Sequence, residues 1–407
     1  MVSALKDQFI KDIHCGYQHT LAVTIHGLVY SWGSNESGQL GLGPKAPEFV
    51  RTPKRVEGLK NVVKISAGNE HSAAINKNQE LYTWGSKSQT GQGDSENRTV
   101  PGKVEYFRKH KIQHVACGGL HTLALTKENK VYCWGSTEGG QLGLPLGIIQ
   151  KLCRNEENAV KCPQKLVSLQ DQAVSQIACG ETHSVCLCKN GAVFGWGMSL
   201  YGQLGLGFSS DSFEPGLGME KSKVMEPRRV ESLRDEQVAK IYCGATFSLF
   251  LTTSGELFGC GMNDLGQLGE DIYNDLSVLE NARKGQMQTS DITIPTQVSS
   301  LQGIQINTVA CGEAHVLAID GDGKDQKNMV WAWGQFKNGQ LGLGEVSTKL
   351  NPRPVQNLAA GTVNKIACGS AHSLALIGDA SNVTTLSPNY YAGNEFLTNT
   401  WSTIIRI

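Results

Sequence analysis

Short runs in which apolar and polar residues alternate recur along the whole chain, separated by clusters of Gly, Asn, Asp and Ser. In Thr122-Leu123-Ala124-Leu125-Thr126 the alternation has the period of two that marks a β-strand. Val131-Tyr132-Cys133-Trp134 adds the β-branched and aromatic residues that strands favour. Between them Lys127-Glu128-Asn129 is hairpin chemistry, as are Lys189-Asn190-Gly191 and Thr253-Ser254-Gly255 further on. With residues 100–104 and 112–117 ahead of these two, the pattern predicts a unit of four short strands, 100–104, 112–117, 122–126 and 130–134.

The unit is repeated. Its opening element, Cys-Gly-x-x-His, stands at Cys117, Gly118 and His121, and its closing element is Trp134-Gly135 followed by Gly140-Gln141-Leu142-Gly143. The first copy has Cys15, Gly16, His19, Trp32 and Gly38 to Gly41. The second has Ala67-Gly68, His71, Trp84 and a loop read as Gly91-Gln92-Gly93. The fourth has Cys179, Gly180, His183, Trp196 and Gly202 to Gly205, and the sixth Cys311, Gly312, His315, Trp333 and Gly339 to Gly342. The fifth keeps Cys243-Gly244 but places Phe247 where histidine stands and Cys260 where tryptophan stands, and the seventh opens with Cys368, Gly369 and His372 before fading. The glycines after the cysteine position lie 50 to 68 residues apart. Such a period marks an array of supersecondary units rather than unrelated domains.

Seven four-stranded units closed into a ring bury their faces on one another and leave few free edges, so the expected fold is an all-β, seven-bladed propeller. An open solenoid would want polar capping repeats, and the first copy has the character of an interior one. In the tail, 382–387 reads as a degenerate strand and 389–397 as an eroded glycine loop. Residues 400–407 (TWSTIIRI) fall where the first strand of a unit is due, and the first copy lacks that strand. The expectation is therefore one domain over 1–407, closed by residues 401–407 pairing with the N-terminal blade near residues 9–15.

Composition narrows the function classes. Lys plus Arg and Asp plus Glu both number 37, which leaves no long-range field toward nucleic acid or an anionic membrane. Charges interrupt the N-terminal MVSALKDQFIKD, and no apolar run approaches the ~18 residues of a membrane span. A cytoplasmic or nuclear monomer is expected, with its 12 cysteines as thiols.

Repetition also changes what the eye-catching residues mean. A catalytic or metal-binding histidine is not needed in six blades, so His19, His71, His121, His183, His315 and His372 read as hairpin-corner imidazoles bonded to local backbone. The six periodic cysteines read as small buried apolar groups, as Ala67 in the same place suggests. Trp32, Trp84, Trp134, Trp196 and Trp333 hold one structural position. The glycine-rich loops precede no helix and so are turns with positive φ rather than phosphate cradles. No cysteine pair has the second pair that a zinc site needs, so neither metal nor cofactor is expected.

The recurrence of Cys-Gly-x-x-His with Trp-Gly and Gly-Gln-Leu-Gly resembles the repeats of the RCC1 (regulator of chromosome condensation) superfamily over roughly residues 9–407. The resemblance implies a seven-bladed propeller, a fold used by the exchange factor for the GTPase Ran, by ubiquitin-ligase modules, by ciliary proteins and by a plant ultraviolet receptor. For the exchange factor it implies a GTPase held on the face of the x-x-His turns, with acidic residues of the turns in contact. The matching pairs here are Tyr17-Gln18, Asn69-Glu70, Gly119-Leu120, Glu181-Thr182, Ala245-Thr246, Glu313-Ala314 and Ser370-Ala371. Glu70, Glu181 and Glu313, with Tyr17 and Gln18, are the candidate contacts. The receptor reading would need clustered tryptophans, whereas five of the seven here are repeat residues.

Residues that break the repeat are the other candidates. The segments 145–165, 208–229 and 270–295 are long versions of what reads as an inter-blade connection, all on the face of the x-x-His turns, and 320–328 extends the opposite face. Two functions follow. One is guanine-nucleotide exchange on a Ran-like small GTPase; the other is a non-enzymatic scaffold docking a protein through the loops of blades three to five.

Overall fold

The computed structural model describes residues 2–5, 8–94, 96–153, 158–209, 222–270, 290–321, 328–344, 348–356, 358, 362–378 and 403–406. Its strands form seven antiparallel sheets, six of four strands and a seventh with three described strands. This is the seven-bladed propeller expected from the repeats. The innermost strands are Ile10–Cys15, Val62–Ala67, Ile112–Cys117, Val174–Cys179, Val238–Cys243, Ile306–Cys311 and Thr362–Cys368. They stand side by side around a central channel of about 530 Å³.

The blades are framed one strand away from the expected unit. Arg98–Lys103 is not the first strand of blade three; it pairs with Leu81–Gly85 as the outer strand of blade two. Blade one accordingly owns four strands, Ile10–Cys15, His19–Thr24, Val29–Ser34 and Phe49–Arg55, and lacks none. The C-terminal strand Thr403–Arg406 therefore pairs with Ser373–Gly378 of blade seven, Leu374 opposite Arg406, rather than with the N-terminal blade. Blade seven meets blade one through side chains: Ala367, Leu374 and Leu376 pack with Leu5, Ile10, Ile13, Cys15 and Ala22. The expected elements at 382–387 and 389–397 lie outside the described residues.

The same shift relocates the long segments. They join the third and outer strands within blades three, four and five, and so remain on the face of the x-x-His turns. The first contains the helix Leu146–Leu152, which buries Ile149 and leaves Leu146, Ile148 and Leu152 exposed. Residues 210–221 and 271–289 of the other two, and 322–327, lie outside the described residues.

Six inner strands carry a bulge after their first residue, as between Ile10 and Asp12 or Val62 and Lys64, and the seventh, one residue longer, has it between Val363 and Lys365, so that its positions count from Val363. An extra residue in one strand inverts the alternation beyond it. The first and fourth residues, such as Val62 and Ile65, thus both enter the interblade core, while the third and fifth face the channel. Between blades the core is built from the middle strands, where Leu21, Leu123, Leu249 and Leu317 are fully buried.

Candidate functional site

The repeated histidine, tryptophan and glutamine loop form one hydrogen-bonded unit that ties each blade to the next. His19 Nε2 lies 2.8 Å from Ser72 Oγ of blade two, His71 Nε2 2.8 Å from Thr122 Oγ1, His121 Nε2 2.8 Å from Ser184 Oγ and His183 Nε2 2.9 Å from Ser248 Oγ. His315 reaches Ser373 in the same way. These imidazoles therefore bond the neighbouring blade and not local backbone, because Cys-Gly-x-x-His turns each ring across the interblade seam.

The hydroxyls give their own protons to the glutamine carbonyl of the preceding blade's loop: Ser72 to Gln39, Thr122 to Gln89, Ser184 to Gln141 and Ser248 to Gln203. The imidazole must then be the donor at Nε2. Its Nδ1 is left without a hydrogen bond in His19, His71, His121 and His183. The same carbonyls accept from Trp84, Trp134 and Trp196 Nε1 at 2.7–2.9 Å, and Gln267 accepts from Trp333. Trp32 is the least buried of the five. In the second copy the carbonyl belongs to Gln89, so the working loop is Gln89-Thr90-Gly91, two to three residues ahead of the Gly-Gln-Gly read from sequence.

Burial holds His19, His71, His121 and His315 neutral, their pKa depressed to about 3, and that of His183 to about 4. The glycine of the turn is required by the same packing: a Cβ on Gly118 would lie 2.4 Å from His121 Cε1 and 2.6 Å from Gly180 O. Gly143, at φ +70°, lets the loop press on the indole of Trp196.

Blade five shows how the unit fails safely. Phe247 faces a blade-six strand that carries Val316 where the others carry a hydroxyl, and both are fully buried in one apolar cluster. Donor and acceptor are lost together, which leaves no unpaired polar group. Cys260 Sγ sits 3.6 Å from Gln203 O in the place of the indole.

With the repeat assigned to structure, the turn variables remain. The first residue of each pair, Tyr17, Asn69, Gly119, Glu181, Ala245, Glu313 and Ser370, rims the channel mouth. Backbone bonds lace this rim across blades: Tyr17 N–H to Gly68 O, Gly119 N–H to Gly180 O, Glu181 N–H to Ala245 O and Ser370 N–H to Tyr17 O, at 3.0–3.1 Å. The rim brings Tyr17, Glu181 and Glu313 into one electrostatic group. The Tyr17 phenol is raised by Glu313, then by burial and Glu181, and the Glu313 carboxyl is raised by burial and then by Glu181. Neither carboxylate has an ion-pair or hydrogen-bond partner among the described residues. Glu70 and Gln18 do not join them; they are the second residues of their turns, and Glu70 accepts from Ser37 Oγ of blade one at 3.1 Å.

Sequence reasoning missed the channel wall. The third residues of the inner strands include Asp12, Lys64, His114, Gln176, Thr308 and Lys365, with His14 and Tyr242 at the fifth. Their common register behind the invariant apolar positions was the available signal.

The propeller framework, the interblade unit and the rim can be set beside known proteins. A model of the RCC1-like domain matches residues 1–375. The chain belongs to the RCC1-like domain family. Among its relatives, the ultraviolet-B receptor UVR8 of Arabidopsis thaliana is 31% identical over 88% of this chain and 72% of its own length. The human E3 ubiquitin-protein ligase HERC2 is 35% identical over 78% of this chain, which spans only 6% of that protein's length. Among solved structures, Prp20p of Saccharomyces cerevisiae, described with its binding properties to Gsp1p and histones, superposes with a TM-score of 0.73. It is 26% identical over 90% of this chain and 82% of its own. Trp32, Trp84, Trp134 and Trp196 stand one each in blades one to four, and blade six holds Trp333 together with Trp331, whose N–H goes to Asp320 Oδ2 at 2.9 Å. No ring pair between two tryptophans occurs among the described residues. No helix among them is long and apolar enough to cross a membrane.

Proposed function

We propose that this RCC1-like propeller works by docking a protein with a basic surface onto the face of the x-x-His turns. The observation that carries this reading is the convergence of Tyr17, Glu181 and Glu313 on the channel rim with no cation beside the carboxylates among the described residues. Burial and then the nearby Glu181 charge raise the proton affinity of Glu313, and a partner's lysine or arginine relieves that cost. The helix Leu146–Leu152 adds exposed leucines on the same face.

The finer reading is guanine-nucleotide exchange on a Ran-like small GTPase, and similarity to Prp20p, described as binding Gsp1p, favours it. The propeller would hold the GTPase, displace its phosphate-binding loop and metal, and stabilise the nucleotide-free state, which is differential binding without covalent chemistry. A stopped-flow assay of labelled GDP release from Ran and a panel of small GTPases tests it. Acceleration at micromolar propeller supports exchange. Binding without acceleration leaves the scaffold reading, and absence of any association with basic partners overturns the docking proposal.

A further inference from the structure

The channel wall is not uniform around its circumference. On the side of blades four to six its polar groups are closed on one another. Gln176 gives its amide to Ile241 O at 2.8 Å and accepts Ile241 N–H at 3.1 Å. Tyr242 Oη lies 3.3 Å from Thr308 Oγ1, and Lys240 Nζ is turned onto Asn307 O at 2.6 Å.

On the side of blades seven, one, two and three the balance is different. Lys365, Asp12, Lys64 and His114 stand at the same register of four neighbouring inner strands, with His14 two residues further along the blade-one strand. Asp12 is ion-paired to Lys365. Lys64 has a bond to Gln113 O at 2.8 Å and carries two more N–H groups. His14 Nδ1 accepts the Ala67 N–H at 3.2 Å, so the neutral ring holds its proton on Nε2. His114 Nδ1 is buried and has no partner. Two ammonium groups against one carboxylate, with an imidazole N–H and an unsatisfied ring nitrogen, leave an excess of donors and of positive charge. Water can occupy donors but cannot balance the charge.

We propose that this arc of the channel binds a small, doubly charged oxyanion, with free phosphate as the model ligand. Lys64 and the His14 N–H would contact it, and His114 would take up a proton from solvent to become a further donor. Asp12 fixes Lys365 at the wall and opposes the anion. The site lies three residues before the cysteine ring, about 10 Å down the strand, and is separate from the carboxylate rim.

The test is a phosphate titration at neutral pH and constant ionic strength, with chloride as the balancing ion, read on the ring resonances of His14 and His114. His114 is held low, at about 4, by burial and then by Lys64, His14 and Lys365, so a bound dianion should raise its proton affinity and shift its resonance saturably. His110, outside the channel, serves as the control. Lys64→Met should weaken binding about tenfold, while Lys240→Met should leave it unchanged. Asp12→Asn should tighten it, a gain that misfolding cannot imitate. Shifts that never saturate, a response equal with chloride alone, or saturation unaltered by Lys64→Met in a variant of unchanged melting temperature would each overturn the proposal.

Discussion

His372 Nε2 lies 3.2 Å from Thr20 Oγ1, although 352 positions separate the two residues in the chain. The contact repeats, between blades seven and one, the bond that each x-x-His imidazole makes with its neighbour. Removing it should loosen ring closure: His372→Phe is expected to cost about 1–3 kcal/mol in urea unfolding. The double variant with Thr20→Val should recover part of the loss, since Phe247 and Val316 show that an apolar pair fits this position. Equal losses in the single and double variants would refute the coupling.

The buried imidazoles set an acid limit on stability. Each has a folded pKa near 3 or 4 against 6.5 for an ordinary histidine. Above 6.5 both states are neutral and pH has no effect through these groups. As pH falls through 6.5 the unfolded chain binds protons that the folded chain refuses, so stability falls. Each histidine should contribute about 1.4 kcal/mol per pH unit until its folded pKa is reached. Chemical denaturation from pH 7.5 down to 5 should show this slope, and a flat profile would contradict it.

Thiol reactivity should separate the buried repeat cysteines from the exposed Cys162. Burial raises Cys117, Cys243 and Cys368 to about 12, and Cys15 further still. Cys162 is exposed. A maleimide should therefore label Cys162 in the native protein, as mass spectrometry can locate, and reach the four raised thiols only at the rate of global unfolding. Prompt native labelling of Cys117 would argue against its placement.

Glu181→Gln with Glu313→Gln should slow association with a basic partner about tenfold or more at low salt and flatten its salt dependence, measured by surface plasmon resonance. Glu70→Gln, outside the rim group, should have a smaller effect. The reverse order would move the docking centre away from the channel mouth.

The blade count and the strand content were legible because Cys-Gly-x-x-His, Trp-Gly and Gly-Gln-Leu-Gly recur, intact or eroded, with residues that only close packing explains. Where a blade begins was not legible, since a cyclic repeat reads the same from any strand; the outer strand Arg98–Lys103 was therefore assigned forward to blade three. The partners of the imidazoles were hidden for another reason. Ser72 or Ser184 next to a repeat histidine looks like an ordinary strand residue until the neighbouring blade is in place. Of the turn candidates, Tyr17, Glu181 and Glu313 share the rim because each is the first residue of its pair, a distinction that depends on which way the turn points. The lysines of the channel escaped notice because the bulge breaks the alternation that would have set them apart.

The seam between blades five and six has a further meaning. At every other described junction from blade one to blade seven an imidazole–hydroxyl bond crosses the seam, whereas between blades five and six Phe247 on Val316 is an oily contact, and the bonds that remain, such as Trp333 N–H to Gln267 O, lie to either side of it. If the circle were recut to give new chain ends, the stretch Ser299–Leu301 just beyond the outer strand of blade five is where a permuted or split version should reassemble with least penalty, much as a bracelet is best fitted with its clasp at the plainest link.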